Sequence, residues 1–122
     1  MEDRKKIQGF EDLVVWQEAQ NLATQVYETT KSFPKEEVFG ITNQIRRAVT
    51  SVSANIAEGF GRRTAKDKLQ FYVIAYGSLL ETKNFIYLSQ RLGFIGKDEP
   101  ELILANVTLC QKLLNAYMRP LK

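Results

Sequence analysis

Two sets of residues in this chain could do chemistry: cations gathered around a glycine-rich stretch, and glutamates set into apolar sequence. The stretch "SVSANIAEGFGRRT", residues 51 to 64, contains both, because Glu58 closes a run of small and apolar side chains and Gly59, Phe60, Gly61, Arg62 and Arg63 follow it. Arg62, Arg63, Lys66 and Lys68 crowd one short span, Arg46 and Arg47 lie earlier, and Arg4, Lys5 and Lys6 sit near the N-terminus. Clustered Lys and Arg suit nucleic-acid binding, since phosphate contacts and counterion release dominate its affinity. The same cations also suit a solvated turn with structural ion pairs. Glu58 and Glu81 would serve as an acid and base pair. Alternatively, Glu58 is a partly buried charge in need of a partner, such as Asn55 or a neighbouring subunit's Arg46 or Arg47. A third reading takes "GFGRRT" as a phosphate-cradling loop at a helix N-terminus. Its spacing departs from G-x-x-x-x-G-K-S/T and no strand precedes it, so Gly59 and Gly61 read as punctuation between helices. Tyr72, Tyr76 and Phe71 could stack on bases, although aromatics at helical spacing more often serve a core or an interface.

The residues that are missing narrow the chemistry further. There is no histidine and a single cysteine, Cys110. His-based triads and general bases, His-ligated metals and thiolate-ligated zinc or iron–sulfur sites are thereby excluded. No catalytic residue, metal ligand or cofactor site is expected. The net charge of +3 and pI of about 9.0 permit an anionic partner without demanding one. A lone cysteine rules out an intrachain disulfide, no apolar run approaches the roughly 18 residues of a membrane span, and "MEDRKKIQGF" lacks a signal-peptide core. A cytoplasmic protein with no membrane partner is the expectation.

Four helical segments would carry these residues. Trp16, Ala19, Leu22, Ala23, Val26, Tyr27 and Thr30 form one apolar stripe over about 11–31. "SFPKEE" interrupts it, and Ile41, Ile45, Val49, Val52, Ile56 and Phe60 form the next stripe, ending at Gly59 or Gly61. "TAKD" opens the third segment, with Thr64 as cap and Asp67 reaching back, and Gly93 ends it. Pro100 opens the fourth, striped by Ile103, Val107, Cys110, Leu114, Tyr117 and Leu121. Short connections favour antiparallel neighbours. The expected fold is all-α, an antiparallel up-down-up-down four-helix bundle over residues 10–122, preceded by a flexible basic tail over residues 1–9.

The second and third segments have too little polar surface. Between Ala48 and Ala57 no long charged side chain occurs, and Arg47, Ser51, Ala54 and Glu58 share the face opposite the stripe. The third segment carries two stripes, one through Leu69, Tyr72, Val73, Tyr76, Leu79, Leu80 and Ile86, the other through Phe71, Ile74, Ala75, Ser78, Phe85 and Leu88. One small bundle cannot bury both, which predicts a homo-oligomer. Ser51, Ala54, Asn55, Glu58, Phe71, Ser78, Glu81 and Phe85 are its expected interface or structural polar positions.

Leu13–Trp16, Phe33-Pro34 with Glu37, Gln44-Ile45-Arg46-Arg47, Asn55-Ile56-Ala57-Glu58-Gly59 and Gly77-Ser78 with Glu81 occur in this order. From about Phe10 onward the chain resembles the four-helix-bundle family encoded in intervening sequences of bacterial 23S ribosomal RNA genes. Accessory proteins of diversity-generating retroelements are similar. The resemblance implies a homopentameric barrel and, in the retroelement case, a basic pentamer that binds a reverse transcriptase and its template RNA. The family commonly carries proline where Ser53 stands, and Glu and Thr where Lys83 and Asn84 stand.

A pentamer would multiply the formal charge to about +15 and repeat Arg62, Arg63 and Lys66 as a ring. Arg46 and Arg47 lie roughly 24 Å along the helix from that turn, so the two groups form separate patches. The functional expectation is a non-enzymatic, oligomeric RNA-binding or ribonucleoprotein accessory protein. RNA or DNA is its expected ligand, through Arg62, Arg63, Lys66, Lys68, Arg46 and Arg47. The alternative is a protein scaffold that docks a partner such as a reverse transcriptase without touching nucleic acid.

Overall fold

The computed structural model describes residues 6–122, and four α-helices account for most of them. They are α1 (Val14–Thr30), α2 (Ile41–Phe60), α3 (Ala65–Arg91) and α4 (Glu99–Met118). Short 3₁₀ turns at Phe10–Asp12, Lys35–Glu37 and Arg119–Leu121 complete the structure, and no strand occurs among the described residues. Each helix packs on its chain neighbours, and α4 closes the bundle against α1. Cross-helix contacts give the directions. Arg46, near the start of α2, meets Thr30 at the end of α1, while Gln20 reaches Ser53. Asn106 of α4 meets Gln25 of α1. Neighbouring helices therefore run antiparallel.

The core is one continuous seam. Leu22, Val26, Ile45, Val49, Val52, Ile56, Leu79, Ile86, Val107 and Leu114 are fully buried along it. Burying each such side chain stabilises the fold by about 1.5–3 kcal/mol before chain entropy is set against it. Cys110 belongs to this seam, where burial pushes its thiol up to about 12 and keeps it protonated. Tyr72 and Tyr117 are also raised by burial.

Several boundaries follow local chemistry. The Thr64 hydroxyl accepts from the Asp67 amide at 3.1 Å, which caps α3. Gly93 follows α3 with φ +80, a conformation that disfavours any side chain. The basic tail expected over residues 1–9 lies partly outside the described residues, including Arg4 and Lys5. Within its described part, Gln8 and Gly9 donate their amides to Asp12 Oδ2 at 2.9 and 3.2 Å, local bonds that lead into the Phe10–Asp12 turn.

Some expectations change. Tyr27 leaves the α1 stripe for the surface, and Val15 takes a core position instead. On α3 the two stripes do not divide as read: Val73 and Leu80 are exposed, whereas Ala75 and Ser78 turn inward. Gly59 is not punctuation. It lies inside α2, where an added Cβ would stand 2.7 Å from the ring of buried Tyr72 and 3.1 Å from Phe71 Cβ. Glycine there permits the close approach of α2 and α3. Gly61 does end α2, at an ordinary right-handed φ of −77.

Candidate nucleic-acid interface

The expected cations occupy the two ends of α2, with different surroundings. At the turn between α2 and α3, Lys68 is committed to the fold. Its ammonium donates to the Phe60 carbonyl at 2.7 Å and to Gly59 O at 3.5 Å, and lies 5.4 Å from the Phe60 ring centre. It thus satisfies the Phe60 carbonyl that the end of α2 leaves open, beside Gly59 O, which already accepts from the Arg62 amide at 3.1 Å. Arg62 donates to Glu58 Oε2 at 3.0 Å and stands over the Phe71 ring at 4.5 Å. Arg63 and Lys66 are exposed and make no hydrogen bond or ion pair to a described residue. The turn therefore offers two uncommitted cations and a third that already shares a carboxylate.

Glu58 was expected to be a partly buried charge. Its side chain is 57% exposed and pairs with Arg62 one helical turn on. Glu58 needs no buried partner, because the α2 face carrying it points outward while Gly59 faces Tyr72. Nor can Glu58 and Glu81 act together in one chain. The Ser78 hydroxyl donates to Ser51 Oγ at 2.9 Å and fixes the register of α2 against α3. Glu58 lies toward the turn from that point and Glu81 lies away from it, which sets them about 15 Å apart along the bundle by the helical rise. Among the described residues no group of three or more His, Cys, Asp or Glu is placed to hold a metal.

The other expected interface positions divide. Asn55 donates to Ser51 O and Oγ at 2.8 and 2.9 Å, joining Ser78 in a polar layer within the chain. Phe71 lies under Arg62, and Phe85 packs against the core. Ala54 and Glu81 face outward. Tyr72 is buried, which removes it from any stacking surface.

At the opposite end, where α1 turns into α2, Arg46 donates to Thr30 Oγ1 at 2.9 Å and stacks over the Tyr27 ring at 4.5 Å. Arg47, one residue on and rotated by a little over a quarter-turn, is exposed and has no partner among the described residues. It borders a groove of about 450 Å³ between α2 and α3 that also touches Asn43, Gln44, Ser51 and Glu81. Two aromatics here were not among the expected site residues: Tyr27, expected in the α1 stripe, and Phe39. Phe39 is 92% exposed, and Tyr27 carries Arg46 on its face. A lone aromatic in the non-periodic "EEVFG" was the available signal.

A separate surface lies along α3. Val73, Leu80 and Tyr87 recur at seven-residue steps and are exposed, as are Ile74 and Leu88. Gly77 sits among them inside the helix, and an added Cβ would meet nothing within 4 Å. Among the described residues no helix is long and apolar enough to cross a membrane.

Comparison with known proteins accords with this architecture. The family described as 23S rRNA-intervening sequence protein matches residues 11–116. A crystal structure from Bacteroides thetaiotaomicron, of a protein with unknown function from the S23 ribosomal protein family, superposes with a TM-score of 0.78. It is 26% identical and covers 87% of this chain and 99% of its own. No curated protein matches significantly.

Proposed function

This chain belongs to the 23S rRNA-intervening sequence protein family, and we propose that it is a non-enzymatic, homo-oligomeric RNA-binding protein that grips phosphates at the turn between α2 and α3. The carrying observation is the pair Arg63 and Lys66, exposed at one turn and without partners among the described residues. Uncommitted cations release counterions on meeting a phosphate backbone, which is the main source of such affinity. Self-association would repeat the pair on every subunit. The exposed apolar stripe of α3 supports that association. So does Gly77, which costs about 1 kcal/mol in a helix and relieves no crowding within the chain. A homopentamer, as the family resemblance implies, is the proposed assembly. The wide separation of Glu58 and Glu81 supports the non-enzymatic reading.

The test is binding of structured and single-stranded RNA to the full chain at low ionic strength, alongside its mass by sedimentation. Affinity that falls steeply with salt, in an oligomer, is the expected result. A monomer at micromolar concentration, or no binding at low salt, would overturn the corresponding part.

A second reading draws on α4, where Leu102 and Leu109 are exposed seven residues apart, away from the α3 stripe. They suit a protein partner, and a retroelement reverse transcriptase is the proposed case. Recovery of a protein partner after nuclease treatment would favour this scaffold reading.

A further inference from the structure

The corner between α1 and α2 has a composition of its own. Phe39, at 92% exposure, presents nearly its whole ring to solvent. Leaving a ring of this size in water forgoes roughly 1.5–3 kcal/mol of burial. Beside it runs a groove of about 480 Å³ bordered by Tyr27, Phe39, Thr42, Asn43, Arg46 and Arg47, among others. That volume lies within the range of small-ligand clefts, about 300–1,000 Å³. No acidic residue lines it. The nearby Glu37 carboxylate accepts from the Ile41 amide at 3.3 Å, so it is turned toward the start of α2.

Arg46 is held over the Tyr27 ring by its bond to Thr30, so its guanidinium is positioned before any ligand arrives. The Arg47 side chain has no partner among the described residues, and the Thr42 hydroxyl, also unpartnered there, is buried away from solvent. The groove thus combines an exposed ring, a pre-stacked arginine, a free cation and the exposed Asn43 side chain. An apolar partner would meet two arginines here, and a folded duplex would find no use for a bare ring. Unpaired bases use all of it: they stack on aromatic and guanidinium faces while the phosphates meet the cations.

We infer that this corner is a second nucleic-acid site, specific for single-stranded nucleic acid, in which one base stacks on Phe39 and a neighbouring phosphate meets Arg47. The inference rests on the proposed RNA binding and adds the site and the form of the ligand. Stacking is common to RNA and DNA, so both strands belong in the test.

The experiment compares the full-length protein with Phe39→Ala, Phe39→Leu and Phe39→Trp. The probes are a short single-stranded RNA carrying a fluorescent base analogue, the DNA strand of the same sequence, and the RNA annealed to its complement. Phe39 is too exposed for its removal to disturb the core, and sedimentation checks the assembly. Phe39→Ala is expected to weaken single-strand binding by roughly five- to a hundred-fold. Phe39→Leu should not rescue it, Phe39→Trp should, duplex binding should change less than about two-fold, and quenching of the analogue should disappear with the ring. Equal loss for the RNA and DNA strands fits stacking alone, while loss confined to RNA adds a ribose contact at the corner. Unchanged single-strand affinity and quenching in Phe39→Ala, with wild type still binding RNA, would overturn the inference and leave the proposed function standing. A changed oligomeric mass in Phe39→Ala, rescued by Leu, would reassign the corner to a protein contact. Absence of any RNA binding by wild type would remove both.

Discussion

The two ends of α2 use the same residue types to different effect. At the turn, aromatic rings are covered by cations: Arg62 lies over Phe71 and Lys68 beside Phe60. What remains open there is charge, from Arg63 and Lys66. At the corner, Arg46 covers Tyr27 but Phe39 stays bare, and Arg47 supplies the free charge. Counting cations would rank the ends by number alone. Following each cation to its partner separates an end with two free cations, the proposed phosphate grip, from an end with a bare ring, the proposed base-stacking site.

That contrast can be broken most strongly by charge reversal at the turn. Arg63→Glu with Lys66→Glu is expected to weaken RNA binding by roughly a hundred-fold at low salt, for single strands and duplexes alike. A loss confined to single strands would merge the two ends into one site.

The glycines give the next effect. Gly59→Ala should cost about 2 kcal/mol in thermal or denaturant unfolding, because its Cβ would meet the buried Tyr72 ring at 2.7 Å. Gly77→Ala should instead stabilise an isolated subunit by about 1 kcal/mol and weaken self-association. If Gly77→Ala left both stability and oligomeric mass unchanged, the α3 face would not be a contact.

Committed cations should register in stability, and Lys68, which lies outside the corner groove, in stability rather than in binding. Lys68→Ala removes the bond to Phe60 O and Arg46→Ala removes the bond to Thr30, each at about 1 kcal/mol by chemical denaturation. For Lys68→Ala, RNA affinity should change much less than for Lys66→Ala. The opposite order would restore Lys68 to the interface.

The smallest effect belongs to Glu58→Gln. Its pair with Arg62 is solvent-exposed, so stability should move by less than about 0.5 kcal/mol. Freeing Arg62 and removing a negative charge should raise RNA affinity about two-fold. A marked loss of function would instead return Glu58 to the list of catalytic candidates.

Much of the fold was legible because helical periodicity survives without its partners. The stripes placed the four helices, Thr64 announced its cap, and Gly93 its termination. Face assignments on α3 were less legible, since small Ala75 and Ser78 can turn inward where α2 approaches closely, leaving Val73 and Leu80 outside. The sequence also offered the four-residue spacing of Glu58 and Arg62, the signature of a surface pair, but apolar neighbours drew attention to burial instead. At the candidate site, adjacent Arg46 and Arg47 look equivalent in sequence. Only the position of Thr30 and Tyr27 across the bundle divides one into structure and leaves the other free. Phe39 was least legible, because a non-periodic segment between two helices says nothing about which side chains it covers.

The most direct measurement is the affinity of the full-length protein for a single-stranded RNA, followed from low to high salt. The account predicts tight binding at low salt and a linear fall of log affinity with log salt, with a shallower slope in the Arg63→Glu, Lys66→Glu variant. No binding at low salt, or an affinity and slope unaltered by that variant, would contradict it.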